Sequence, residues 1–335
     1  MNFKAKLSLS LIFILAAAFV LAGPSAMAAA TPEGDGSRIA PRGLEFRFDK
    51  DAFAAPVAQT GIAETTKLSR LSLKLYGGYS HILAADVNDG ADFFFELVEL
   101  YAAEGMGTVT GGYKPLHGGF DFGADLIYQI TSNIGVGLGA GFMRNSSRSL
   151  ATWTVDTSEM IITAEPTISA IPIRLGVFFT VPVAGRVNLT ADIGGAYYAG
   201  LKFDAVQRLE SGADWSEMSV ASLTAGPSPL GFQGSLGLEY MISPKMGFFV
   251  EAAGRYAKLK NFNEVTGIEN FSGGGSSTTD GKLYIETNTD VLNMYTISMF
   301  TIEETPPVDD ADTTFREPRF DLSGFSLQAG FRIRF

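Results

Sequence analysis

The side chains able to do chemistry in this chain are few, and they fall on a rhythm. Lys74, Asp121, Asp125, Arg174, Asp192, Glu239, Glu251, Arg255 and Arg332, together with Arg334, each stand between two apolar or glycine neighbours. They therefore occupy the polar side of a two-residue alternation. Acids and bases are balanced, so the set can act in two ways: as ion pairs that fill an enclosed interior, or as the lining of a path for protons or small ions.

Other chemistry is sparse. His81 and His117 are the only histidines and bracket residues 82–116, with Asp86 and Asp121 close in sequence. No nucleophile motif or fixed spacing accompanies them, so they read as rim polar residues rather than an acid–base pair. The absence of Cys removes disulfides, thiolate metal sites, cysteine nucleophiles and lipid attachment through an N-terminal Cys. No catalytic residue, metal ligand or cofactor site is predicted, and the chain is not expected to be an enzyme. Asp309-Asp310-Ala311-Asp312 lacks calcium-loop spacing and reads as a solvated surface.

The elements that must position the charged set are strands. Alternation with period two fills eight stretches, at about 69–81, 117–130, 134–146, 165–182, 187–202, 230–242, 246–258 and 320–335. The face opposite the charged set carries residues such as Leu73, Leu75, Phe120, Phe122, Leu138, Leu175, Ile193, Leu236, Val250 and Phe331, and no charge at all. A lipid-facing Arg or Lys costs about 2–4 kcal/mol at mid-membrane, which explains such an exclusion. A soluble sandwich or lipocalin-like barrel would turn the apolar face inward, but that face is too bulky for the interior of one eight-stranded barrel. Aromatic residues collect at the stretch ends. Tyr79, Phe120, Phe142, Tyr197, Phe232, Tyr256 and Phe325 mark one rim, and Tyr128, Phe179, Tyr240 and Phe335 the other, as expected at two membrane interfaces.

Short turns at 131–133, 183–186 and 243–245 alternate with long links at about 82–116, 147–164, 203–229 and 259–318. The expectation is all-β: an eight-stranded antiparallel up-and-down transmembrane β-barrel with long extracellular loops and both termini periplasmic. Ten strands would result if 282–302 added a hairpin within the sheet. In the first link, 92–101 has helical spacing with Phe94, Leu97, Val98 and Tyr101 on one face, suited to packing over the barrel mouth.

The composition agrees. The 335 residues include 38 Gly and 26 Phe, and the net charge of −11 disfavours nucleic acid. The one long apolar run is N-terminal: Lys4 and Lys6, an apolar stretch from Leu7 to Leu21 and small-residue cleavage sites near Ala28 or Ala30 predict a signal peptide over 1–30. A periplasmic tail over 31–67 and the barrel domain over 68–335 follow.

The last strand, Gly324-Phe325-Ser326-Leu327-Gln328-Ala329-Gly330-Phe331-Arg332-Ile333-Arg334-Phe335, resembles the C-terminal signature of bacterial outer-membrane barrels. Leu75-Tyr76-Gly77-Gly78-Tyr79 and the glycine-alternating stretch from Ile134 to Phe142 resemble the small OmpA, OmpX and opacity-like members. The resemblance implies assembly by the outer-membrane insertion machinery, with Phe331, Ile333 and Phe335 as the assembly signal. The chain departs from the OmpA pattern by ending on this strand, which predicts no peptidoglycan-binding domain. The expected function is a non-enzymatic outer-membrane role, structural or in surface interaction. Its partners would be membrane lipids, the insertion machinery and an extracellular ligand met by the loops. The alternative is a narrow, porin-like channel or a conduit for small hydrophobic solutes.

Overall fold

The computed structural model describes residues 70–224, 230–260, 262–290 and 295–335. The signal peptide and tail expected over 1–67 lie outside the described residues.

The fold is all-β, one antiparallel sheet of sixteen strands, with a single α-helix among the described residues. Eight strands carry the alternation: β1 (Leu71–Ala85), β3 (Gly118–Gln129), β4 (Ile134–Ser146), β6 (Ser158–Ala184), β7 (Val187–Ser211), β9 (Leu230–Ser243), β10 (Met246–Tyr256) and β16 (Phe320–Arg334). Each pairs with the next along β1-β3-β4-β6-β7-β9-β10-β16, and β16 pairs back onto β1. The circuit of pairings closes.

The expected eight-stranded barrel is corrected: the sheet has sixteen strands, eight of them in the circuit, and all four long links contain strands where loops were expected. They contain further strands: β5 (Ser149–Val155) in the second, β8 (Asp214–Thr224) in the third, and β11 (Lys258–Leu259), β12 (Asn263–Phe271), β13 (Ser276–Asp290), β14 (Tyr295–Glu303) and β15 (Thr313–Arg316) in the fourth. The first link holds helix α1 (Asp86–Ala103) and β2 (Thr108–Gly112). The hairpin expected over 282–302 exists as β13–β14, but it extends the sheet from β12 outside the circuit.

The three tight turns sit together at one end of the circuit and owe their shape to short polar side chains and one glycine. Thr131 Oγ1 accepts from the backbone N–H groups of Asn133 and Ile134 at 3.2 and 3.0 Å. Gly185, at φ +51°, turns β6 into β7.

The sense of the alternation inverts partway along the strands. Near the turns the apolar face is exposed: Leu138 is 60% exposed, Leu175 67% and Ile193 64%, while Lys74, Asp125 and Glu239 are each 1% exposed. Further out the same inner surface becomes apolar, with Ile82, Ala84, Leu116, Ile168, Ala170, Phe203, Ala205, Phe320 and Leu322 all buried in one cluster. On β6 the change needs no irregularity: Ile171, Ile173 and Leu175 point outward, whereas Ile168 and Ala170, on the other parity, are buried inward. On β7 it needs one. Apolar residues continue on odd positions from Val187 to Ala205, yet the register to β6 slips between Ser169↔Lys202 and Ile171↔Ala199. Gly200, at φ +54°, takes up the extra residue in a conformation that strains any side chain-bearing residue. The slip turns Leu201, Phe203 and Ala205 inward.

Helix α1 covers this apolar outer core. It contacts β14 and β2, the two ends of the sheet path, and β6. Val87, Gly90, Ala91, Phe95 and Val98 are buried, with Asp86 at its start, so its inner stripe is rotated from the expected one. Val98 belongs to it, whereas Phe94 packs only partly and Tyr101 turns to Trp153, ring centroids 5.7 Å apart. The preference for the 87/91/95/98 stripe follows from size. Gly90 admits the Phe300 ring against the helix backbone, where any Cβ would collide with it.

Candidate functional site

The charged residues singled out above converge inside the closed circuit. Nearest the turns, Glu239 of β9 accepts from Arg334 Nη2 at 2.6 Å and lies 3.8 Å from Arg332 Nη1. In the middle, Lys74 of β1 donates to Glu251 Oε2 of β10 at 2.7 Å and stands 3.5 Å from Asp192 Oδ2 of β7. Strand β7 lies four places from β1 in the circuit, so this one ammonium spans the interior. The same ammonium also lies over the Phe249 ring, 4.9 Å from its centroid. Arg174 pairs with Asp125 and stacks on Tyr76, 4.7 Å from the ring centroid. Furthest out, Arg255 meets Asp121 at 3.5 Å, and Ser326 and Gln328 donate to the same Asp121 carboxylate at 2.6 and 3.0 Å.

Each charged residue of the set thus has an opposite partner. Ion pairing on this scale is what burial demands, since an isolated charge in a low-dielectric interior costs several kcal/mol. The glycines opposite make room for it. A side chain at Gly139 would overlap the Asp125 carboxylate, and one at Gly247 the Glu239 carboxylate. A cavity bordered by Asp121, Arg174, Tyr198, Arg255 and Gln328 measures about 30 Å³. That volume admits about two water molecules.

His81 and His117 come together at the inversion, in a stack with ring centroids 5.0 Å apart, and Phe325 stacks on the other side of His81 at 5.0 Å. Neither nearby acid reaches them: Asp121 is held by Arg255, and Asp86 accepts from both Arg316 guanidinium nitrogens and from the Arg319 backbone N–H. Among the described residues no group of three or more His, Asp or Glu side chains is placed to hold a metal. Phe331 and Ile333 face outward from β16, paired with Leu75 and Leu73 on one side and with Phe248 and Met246 on the other. Phe335 donates its backbone N–H to Leu71 O at 3.0 Å and leaves its ring exposed.

Two features escape sequence reasoning. The Asp86–Arg316 clamp joins residues 230 positions apart, and Gln207 donates to the Gly90 and Ala91 carbonyls of α1 from β7. The other is an acidic helix face. Asp89, Asp92, Glu96 and Glu99 share one side of α1 at helical spacing, a signal available in the sequence. Partial burial, then the charges of Glu96, Glu99 and Asp89, raise the Asp92 carboxyl to about 7. The folded state therefore holds a proton there that the unfolded state, with an ordinary carboxyl, releases near pH 4, so stability falls as pH rises from about 4 to 7. Asp92→Asn should raise the thermal midpoint at pH 8 by roughly 2–4 °C, about 1 kcal/mol after discounting for solvent screening at a half-exposed site. At pH 4 it should change nothing, and equal shifts at both pH values would refute this origin.

Compared with known proteins, the sequence matches no family model and no curated protein.

Proposed function

We propose that the protein is a transmembrane β-barrel of a bacterial outer membrane, with a filled lumen and a folded extracellular extension, serving a non-enzymatic structural or surface-interaction role. The observation that carries this reading is the inversion along single strands. One half of β6 and β7 presents aliphatic side chains outward and hides charge, and the other half does the reverse. A strand whose two halves are each sensible in a different solvent is a strand that crosses between them. The exposed aromatic rims, with Tyr79 and Tyr256 on one side of the band and Tyr128 and Tyr240 on the other, suit the two interfaces. Short turns on one side and an elaborate extension on the other match the periplasmic and extracellular ends of such barrels. The predicted signal peptide supports export, and the resemblance of the last strand supports recognition by the insertion machinery.

The completed ion pairs and the small cavity favour a plug over a channel or a solute conduit. Membrane fractionation tests the location, with the protein expected in the outer-membrane pellet. In planar bilayers the purified protein should give no steady conductance, and reproducible porin-like steps would defeat the filled-lumen reading.

A further inference from the structure

We infer that the His81–His117 stack and the neighbouring Arg144 form an outward-facing site for the phosphomonoester headgroup of an anionic membrane lipid. This inference rests on the membrane reading above. The stack lies where the outward face changes from apolar to polar, one outward position beyond Tyr79 on β1. Phe325 stacks on the other side of His81, and the Tyr79 hydroxyl lies over Gly118. Arg144 is exposed on β4, in register with Phe120, which is itself in register with Tyr79. At a strand spacing of about 4.8 Å the guanidinium and the two imidazoles cover a patch roughly 10 Å across, the scale of one headgroup.

The extension above is rich in acids, yet this patch is not. Among the described residues no carboxylate pairs with Arg144 or with either imidazole. The groups that face the stack are Phe325 from β16, Asn145 from β4, which donates to the His117 carbonyl at 2.9 Å, and from behind the cation Arg255 of β10. The acids nearest in the fold are engaged elsewhere, Asp121 with Arg255 and Asp321 with Lys258 at 3.7 Å. An anion is thus the charge this surface lacks. The geometry also assigns a proton. His117 Nδ1 lies 2.9 Å from the Ile82 carbonyl, which can only accept, so Nδ1 carries the hydrogen. Nε2 is then a donor to phosphate only when it too is protonated, so an acidic medium favours binding.

The test floats the purified full chain with phosphatidylcholine vesicles alone and with vesicles containing phosphatidic acid, and counts bound phosphatidic acid by native mass spectrometry at pH 5.5 and 8. The parent should float with both vesicles and hold more phosphatidic acid at pH 5.5. Arg144→Gln should weaken this binding by about fivefold at both pH values, the factor one cation contributes at an anionic surface. His81→Gln with His117→Gln should float like the parent and lose the gain at pH 5.5. A pH gain that survives in the double variant overturns the site. So does complete displacement by inorganic phosphate at equal concentration, which would mark a free-ion site. Failure to float with phosphatidylcholine alone overturns the membrane reading instead.

Discussion

Replacing Lys74 by methionine is expected to destabilise the protein by about 3–5 kcal/mol, the cost of leaving a buried ion-pair partner uncompensated. Lys74 is 1% exposed and serves two carboxylates at once, Glu251 and Asp192, so its loss strands two negative charges. Methionine keeps most of the stem volume, so the change is confined to the ammonium with its two carboxylates and its contact over the Phe249 ring. Adding Glu251→Leu should then restore much of the loss, because an apolar pair of similar volume commonly matches a buried ion pair. Asp192 remains hydrogen-bonded to Ser235 in that double variant. Urea unfolding in phospholipid vesicles, followed by tryptophan fluorescence, gives both numbers. A Lys74→Met variant within about 0.5 kcal/mol of the parent, the range of an ordinary surface substitution, would mean that the interior is wet and the charges solvated.

The second large effect concerns the outer face. Leu138 and Leu175 are paired across β4 and β6, midway between the two rims, at 60% and 67% exposure. In water, Leu→Arg at such positions changes stability by no more than about 0.5 kcal/mol. In hydrocarbon the same change costs about 2–4 kcal/mol. Leu138→Arg and Leu175→Arg should each lose the larger amount in vesicles. Val308→Arg, at an 85% exposed site in the extension, should be neutral. Equal, small effects at all three positions would place the whole surface in water.

The part of the fold legible in sequence is the part where one side of each strand meets a single environment. Alternation from Ile134 to Phe142 or from Met246 to Tyr256 admits one face assignment, and the structure has those residues outward. The charged set was legible for the same reason, since Asp125 or Glu251 between apolar neighbours can only lie on the other face. Who pairs with whom was not. Lys74 is in register with Asp125 and with Arg332, yet its partners come from β10 and β7, across the interior. The extension was hidden because its strands look like loops: Lys202, Asp204, Arg208 and Glu210 alternate as on any water-facing surface, and the slip at Gly200 reverses which parity is inside. Helix α1 was legible as a helix, but its buried stripe depends on Phe300, which lies 210 residues beyond Gly90.

The closing ladder of the circuit has a consequence for how the chain is made. Strand β16 pairs with β1 on one side and with β10 on the other, joining Ser72 to Arg334 and Met246 to Ile333. Synthesis runs from the N-terminus, so β16 is the last of the described strands to emerge, and no earlier length of chain can close. Until then β1 and β10 carry unpaired backbone edges beside aliphatic faces, the combination most prone to pairing with a neighbouring molecule. Completion of β16 is therefore the single step that removes both edges, and every shorter chain is exposed to such pairing.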